Sequence, residues 1–215
     1  MPDYRLIHLD RNAYKASVAK IADPRTRGFA KLSLEWWDRH FSWRVHGCVV
    51  LADETGGHLC YIFYKIDRYG EYLTIHNIFT PLALRRRGYA HALLKIVFDR
   101  AHDKHVRRFR LASVSQSLDF YLSLGFVYWG LNSVGDYYCD LPIPADGLEG
   151  VEAMVRRNDS SGLLGERFDS VYAKIYGNET RLETTEQQRY EADKRKMHGS
   201  YRLETLERLH RIKTG

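Results

Sequence analysis

The chain of 215 residues has three cysteines, Cys48, Cys60 and Cys139, an odd number without any CxxC pair. That pattern excludes a disulfide framework and argues against a zinc site. Reduced thiols acting as small hydrophobic side chains are expected, and no metal. No apolar run approaches the roughly 18 residues a membrane span needs. The opening "MPDYRLIHLD" is not a signal peptide, so the expected setting is cytoplasmic, with no membrane partner. GK[ST] and GxGxxG are both missing, which removes the nucleotide P-loop and weakens a dinucleotide-binding reading. There is no internal repeat and no low-complexity tract.

What is present is the composition of a folded protein, 44% hydrophobic and 28% charged, enough to bury a sizeable core. The net charge of +6 favours acidic partners in general, such as a phosphate-rich cofactor, nucleic acid or an acidic protein, and does not choose among them. The excess lies in the first two thirds: residues 1–146 carry 20 basic and 15 acidic side chains, residues 147–215 carry 13 and 12.

"YRLIHL" alternates as a first strand. From Asn12 to Phe41 the pattern is helical, with one interruption expected at "DPRTRG" from Pro24 and Gly28. Leu34, Trp37 and Phe41 form a core-facing stripe there, while Trp36 and His40 lie on another face. "RVHGCVVLAD" and "HLCYIFYKID", joined by "ETGG", predict a hairpin, and "RYGE" turns into a strand "YLTIHNIF". A helix follows, with Ala90, Leu94, Val97 and Ala101 on one stripe. "FRLASV" predicts a strand, "SLDFYLSLG" a short helix capped by Asp119 and closed by Gly125, and "FVYWGL" and "YYCDLPI" two last strands. The expected fold is mixed α/β, in the order β-α-α-β-β-β-α-β-α-β-β. It fills residues 1–145, with "IPADG" as a linker and a helical C-terminal extension over 146–215.

"RRRGYA", residues 85–90, sits between a strand and a helix. A helix start leaves about four N–H groups without intrahelical partners and carries roughly half a positive charge, so an anion placed there satisfies both. Gly88 removes a Cβ that would hold a phosphate away, and Ala90 keeps the first turn narrow. Arginines can fork onto phosphate oxygens. The alternative for each arginine is a solvated charged turn.

The pattern Arg85-x-x-Gly88-x-Ala90 resembles the acyl-CoA-binding motif of the GNAT superfamily of N-acyltransferases, [Q/R]xxGx[G/A]. The preceding "NIFTP" resembles that family's fourth strand, "LDFYLSLGFVYWG" its second motif, and the element order its fold. The resemblance covers about residues 4–143. Arg85 stands one residue later after Pro81 than is common, which implies a longer turn. The resemblance implies acetyl-CoA as cosubstrate, its pyrophosphate on the backbone of Arg86, Arg87, Gly88, Tyr89 and Ala90 beside Arg85, and its arm along the strand at Ile78 and Phe79. It also implies Tyr121 as the acid that protonates the departing thiolate, a role suited to a phenol with a pKa of about 10. The alternative is a core aromatic.

For the base, the strand offers Glu71 at its start and His76 in its middle, and a water held by Asn77, Ser113 or Ser115 is a further option. Cys139 as a nucleophile lacks a histidine partner of recognisable spacing. The acceptor side draws on "DPRTRGFAKLSLEWWDRHFSW" and "LNSVGDYY", where each aromatic has a packing alternative. The function expected is transfer of an acetyl or short acyl group to a small-molecule or protein amine. The alternatives are a toxin-like enzyme acetylating aminoacyl-tRNA, and a non-catalytic acyl-CoA-binding module. The C-terminal helices could then dock a partner or a second copy, and nucleic acid is permitted without being indicated.

Overall fold

Asp10 closes the first strand and opens the first helix. Its carboxylate accepts a hydrogen bond from the Ala13 amide at 2.8 Å, satisfying one donor that a helix start leaves without an intrahelical partner. The computed structural model describes residues 4–67, 72–106, 108–131 and 136–142, with isolated positions between 146 and 153. Glu71, the "RYGE" turn and nearly all of the expected helical extension lie outside the described residues. The elements are β1 Arg5–Leu9, α1 Arg11–Ala19, α2 Pro24–His40, β2 Cys48–Ala52, β3 His58–Ile66, β4 Tyr72–Phe79, α3 Tyr89–His102, β5 Arg108–Ser113, α4 Ser115–Ser123, β6 Val127–Leu131 and β7 Tyr137–Pro142. That is the expected order, in a mixed α/β fold. The chain divides into two units, Met1–Arg107 and Arg108–Gly215.

In the first unit β1 to β4 pair in sequence order, each antiparallel to the next. One face carries Cys48, Val50, Tyr61, Phe63 and Phe79 in a cluster with Tyr14 and Val18 of α1 and Ala30 and Trp37 of α2. Trp37 is wholly buried, and its indole N–H donates to the His46 carbonyl at 3.0 Å. Truncating such a side chain costs about 3–5 kcal/mol. Leu34 and Phe41 pack against the same cluster, so the predicted stripe is the one that faces inward. Tyr14 donates to the Ala30 carbonyl at 2.9 Å, locking α1 to α2. The other helix of this unit, α3, packs on β2, β3 and β4 and buries Leu93, Leu94, Val97, Phe98 and Ala101.

One expectation about the first unit is corrected. Pro24 and Gly28 do not interrupt the helical region. The break precedes them, because Asp23 caps α2 through the amides of Arg25 and Thr26 and Pro24 occupies its first turn. Proline there loses no helical hydrogen bond. Gly28 lies inside α2, exposed, and a Cβ on it would meet nothing within 4 Å.

In the second unit β7 pairs with both β5 and β6, antiparallel in each case, and α4 packs on β5 and β7. Gly125 follows α4 with φ 90°, a left-handed conformation suited to glycine. Asp119 does not cap this helix. The cap position is Val114, which makes no side-chain cap bond, and Asp119 falls a full turn further on. Arg108 and Asp140 form a buried ion pair at 3.1 Å. No helix among the described residues is long and apolar enough to cross a membrane.

Candidate active site

β4 runs out at Phe79, and the chain reaches α3 through a tight link. A 3-10 turn over Leu82–Leu84 is held by Leu84 N–H on the Pro81 carbonyl at 2.8 Å and Arg85 N–H on the Leu82 carbonyl at 3.2 Å. This turn takes up the added length between Pro81 and Arg85. Arg86 then adopts φ 61° and Gly88 φ 79°, so two left-handed residues lie within three positions. For Arg86 that conformation carries strain. Gly88 is the N-cap of α3, and a Cβ there would meet no atom within 4 Å. Glycine is therefore demanded by φ, and the space above it is open. The first helical bond runs from Ala92 N–H to the Gly88 carbonyl at 2.9 Å. The amides of Tyr89, Ala90 and His91 precede it and have no acceptor within the helix. Open space over such amides, at the positive end of α3, fits an anion such as a pyrophosphate.

The three arginines differ. Arg85 turns its Nε–H back onto the Thr80 carbonyl at 3.1 Å, so its side chain fastens the turn. All three are exposed.

β4 holds a feature that its sequence does not announce. Asn77 pairs with Phe63 and Ile75 with Tyr64, which leaves His76 as the extra residue of a β-bulge. A bulge bends the strand and re-aims side chains, and bulges are over-represented beside active sites. His76 turns its ring towards α2, at 4.9 Å from Phe41, 5.1 Å from Trp36 and 5.5 Å from Trp37. Phe79 stacks on Tyr61 at 4.7 Å and meets Phe29 of α2 edge-on at 5.7 Å. His76, Ile78, Phe79 and residues 85–90 thus lie along one strand and the link that follows it. Among the described residues no group of three or more His, Cys, Asp or Glu side chains could hold a metal ion.

Tyr121 belongs to the second unit, where α4 buries it to 7% exposure between Phe120 at 5.2 Å and Phe126 at 5.6 Å. Ser113 spends its hydroxyl hydrogen on the Val114 carbonyl at 2.9 Å. Cys139 is wholly buried, as are Cys48 and Cys60. Burial pushes the Cys48 thiol well up and the Cys60 thiol to about 12, so both stay protonated, and poor nucleophiles, at neutral pH.

A second polar group escaped sequence reasoning. Ser17 of α1 lies 2.6 Å from both His58 Nδ1 and the Tyr61 hydroxyl of β3. Burial, with Lys20 nearby, lowers the His58 pKa. With His58 neutral and its proton on Nε2, Tyr61 donates to Ser17 and Ser17 to His58, so every hydroxyl hydrogen in the chain is used. No spacing rule joins residues 17, 58 and 61; only the packing of α1 on β3 does.

Residues 41–142 match the family model described as an acetyltransferase (GNAT) domain. No curated protein matches the chain. Among solved structures a bacterial toxin aligns with a TM-score of 0.51 at 14% identity, over 73% of this chain and 97% of its own. The PaiA N-acetyltransferase of Thermoplasma acidophilum, solved with coenzyme A, aligns with a TM-score of 0.51 at 12% identity, over 65% and 99%. A mutant form of the SpeG spermidine N-acetyltransferase of Vibrio cholerae gives 0.50 at 15%, over 65% and 93%. At such identities these likenesses speak for the fold alone. Residues 41–142 thus match an acetyltransferase (GNAT) domain, and the solved structures share its fold.

Proposed function

We propose that the protein is an N-acyltransferase that moves an acetyl or short acyl group from acetyl-CoA to a primary amine by direct attack. The observation that carries this reading is the head of α3, where Gly88 is left-handed at the N-cap under open space, at the end of the short link from β4. Acetyl-CoA supplies the activated acyl thioester. The backbone of residues 86–90 holds its pyrophosphate, and β4 at Ile78 and Phe79 lies along its arm. An amine attacks only when neutral, so a base must take its proton. His76, re-aimed by the bulge, suits that work near neutral pH, with Glu71 as the other candidate. The Tyr121 hydroxyl donates the proton that the departing thiolate needs. The transferase domain extends to residue 145, and residues 146–215 are an accessory that sets acceptor use or assembly.

Calorimetry with CoA and thiol release from acetyl-CoA over a panel of amines test the reading. Micromolar binding with amine-dependent thiol release is expected. Binding without release for any amine would move the protein to an acyl-CoA-binding module. No binding at all would remove the cradle.

A further inference from the structure

α2 has more apolar surface than it buries. Its inward stripe is Thr26, Ala30, Ser33 and Trp37. Phe29, Leu32 and Trp36 lie on the flank of that stripe, exposed at 43%, 64% and 37%. By the helical step of about 100° per residue, they share one face with His40. The flank looks onto β4: Phe29 meets Phe79, and Trp36 meets His76 at the bulge. His40 stacks on Trp36 with centroids 4.4 Å apart, and its Nδ1 lies 2.7 Å from the Trp36 carbonyl. A carbonyl can only accept, so Nδ1 carries the proton. In the neutral ring Nε2 is then a lone-pair acceptor.

The charges around this flank are as informative as its rings. Asp38 leaves α2 about 160° round the axis from Trp36. It is taken by Arg11 at 2.7 Å and by the Trp43 indole N–H at 2.7 Å. Glu35 leaves about 100° from Trp36 but only about 60° from Leu32, at the edge of the flank. Lys65 holds its ammonium 5.4 Å from the centroid of the Phe41 ring, which itself lies 4.9 Å from the His76 ring. A polyamine needs several carboxylates along its length, and α2 places one, Glu35, at the edge of a flank otherwise made of rings and an imidazole.

We infer that the acyl acceptor is a monoamine on a flat apolar or aromatic body, seated on the Phe29–Leu32–Trp36 flank of α2 with its amine directed to the bulge at His76. This rests on the transferase reading above and names the substrate class of that site. The body stacks on Trp36, the His40 imidazole frames it and offers Nε2 to a polar substituent, and Lys65 repels acceptors with further positive charges.

Direct binding and turnover test it separately, with the full chain loaded with CoA or acetyl-CoA. Tryptamine and phenethylamine are compared with spermidine and butylamine by calorimetry and by thiol release. Tryptamine should bind at least tenfold more tightly than butylamine. Trp36→Ala should cost about tenfold in affinity for tryptamine, the worth of one good aromatic contact, with CoA affinity unchanged, and Trp36→Phe should restore most of it. Aromatic-amine binding that Trp36→Ala abolishes, without thiol release for any amine, would overturn the transferase reading and with it the acceptor role, leaving only an aromatic-amine seat on the flank. Spermidine or butylamine turned over as well as tryptamine overturns the inference and leaves the transferase reading standing. Self-association lost in Leu32→Glu, with amine binding retained, also overturns it, because the flank would then be an interface between copies of this chain.

Discussion

The Nε–H of Arg85 donates to the carbonyl oxygen of Thr80 across 3.1 Å, so the first arginine of the triplet braces the turn from which the other two project. Lysine has no donor at that point of its side chain, and its ammonium is not a planar fork. Arg85→Lys should therefore behave like Arg85→Ala. Both should weaken CoA binding with little change in its salt dependence, whereas Arg86→Ala and Arg87→Ala should flatten that dependence. Calorimetry at two ionic strengths separates the two patterns. Equal salt slopes for all four variants would place Arg85 with the solvated charges.

Gly88→Glu should abolish CoA binding while the protein stays folded. The added Cβ meets no protein atom, so the folding penalty is the conformational one of a left-handed non-glycine residue, about 1–2 kcal/mol. The new carboxylate occupies the space over the α3 amides and repels phosphate. Thermal unfolding and calorimetry on one preparation check both halves. CoA binding at wild-type strength would put the anion elsewhere.

Tyr121→Phe keeps a ring between Phe120 and Phe126 and removes one hydroxyl. If that hydroxyl protonates the leaving thiolate, turnover should fall about 10²–10⁴-fold, with CoA affinity near wild type. The loss should shrink with a more acidic leaving thiol. Unchanged single-turnover rates would return Tyr121 to the core.

The ion pair of Arg108 and Asp140 is buried on both sides, at 7% and 2% side-chain exposure. Removing the carboxylate leaves a guanidinium charge without its countercharge away from water. Asp140→Ala should cost about 3–5 kcal/mol, seen as a lower denaturation midpoint. A loss under about 1 kcal/mol, the range of an exposed pair, would mean that water reaches Arg108.

Stability should fall as pH drops below about 6.5. Burial lowers the pKa of His8, His46 and His58. Arg100 and Lys104 add to the effect at His8, Lys65 at His46 and Lys20 at His58, while Asp53 opposes it at His58. The unfolded chain then binds more protons than the folded one between the lowered values and 6.5, so unfolding becomes easier as pH falls through that window. The Asp38 and Asp53 carboxyls are held below 3.8, the first chiefly by Arg11 and the second by Thr55. Their loss comes only in stronger acid. Urea midpoints at pH 7.5 and 5.5 test this, and equal midpoints would contradict it.

Much of the fold was legible because it depends on short-range pattern. Element order followed from periodicity and turn residues, and the link into α3 from a single glycine between a strand and a helix. The misreadings were equally local. Pro24 and Gly28 look like breakers, yet Asp23 makes Pro24 a helix start. Asp119 looks like a cap, yet α4 begins at Ser115 and carries it inside.

The sequence by itself determined the glycine turn into α3, since Gly88 stands between a strand pattern and a helix pattern. Tertiary structure alone decided what faces the strand before that turn. The bulge at His76 exists only in the register of β4 against Phe63 and Tyr64 of β3. That Trp37 rather than Trp36 turns into the core was legible in the helical stripe, whereas the contact of Trp36 with His76 was not. The bulge and that contact each depend on a partner more than ten residues away, which no short-range pattern encodes.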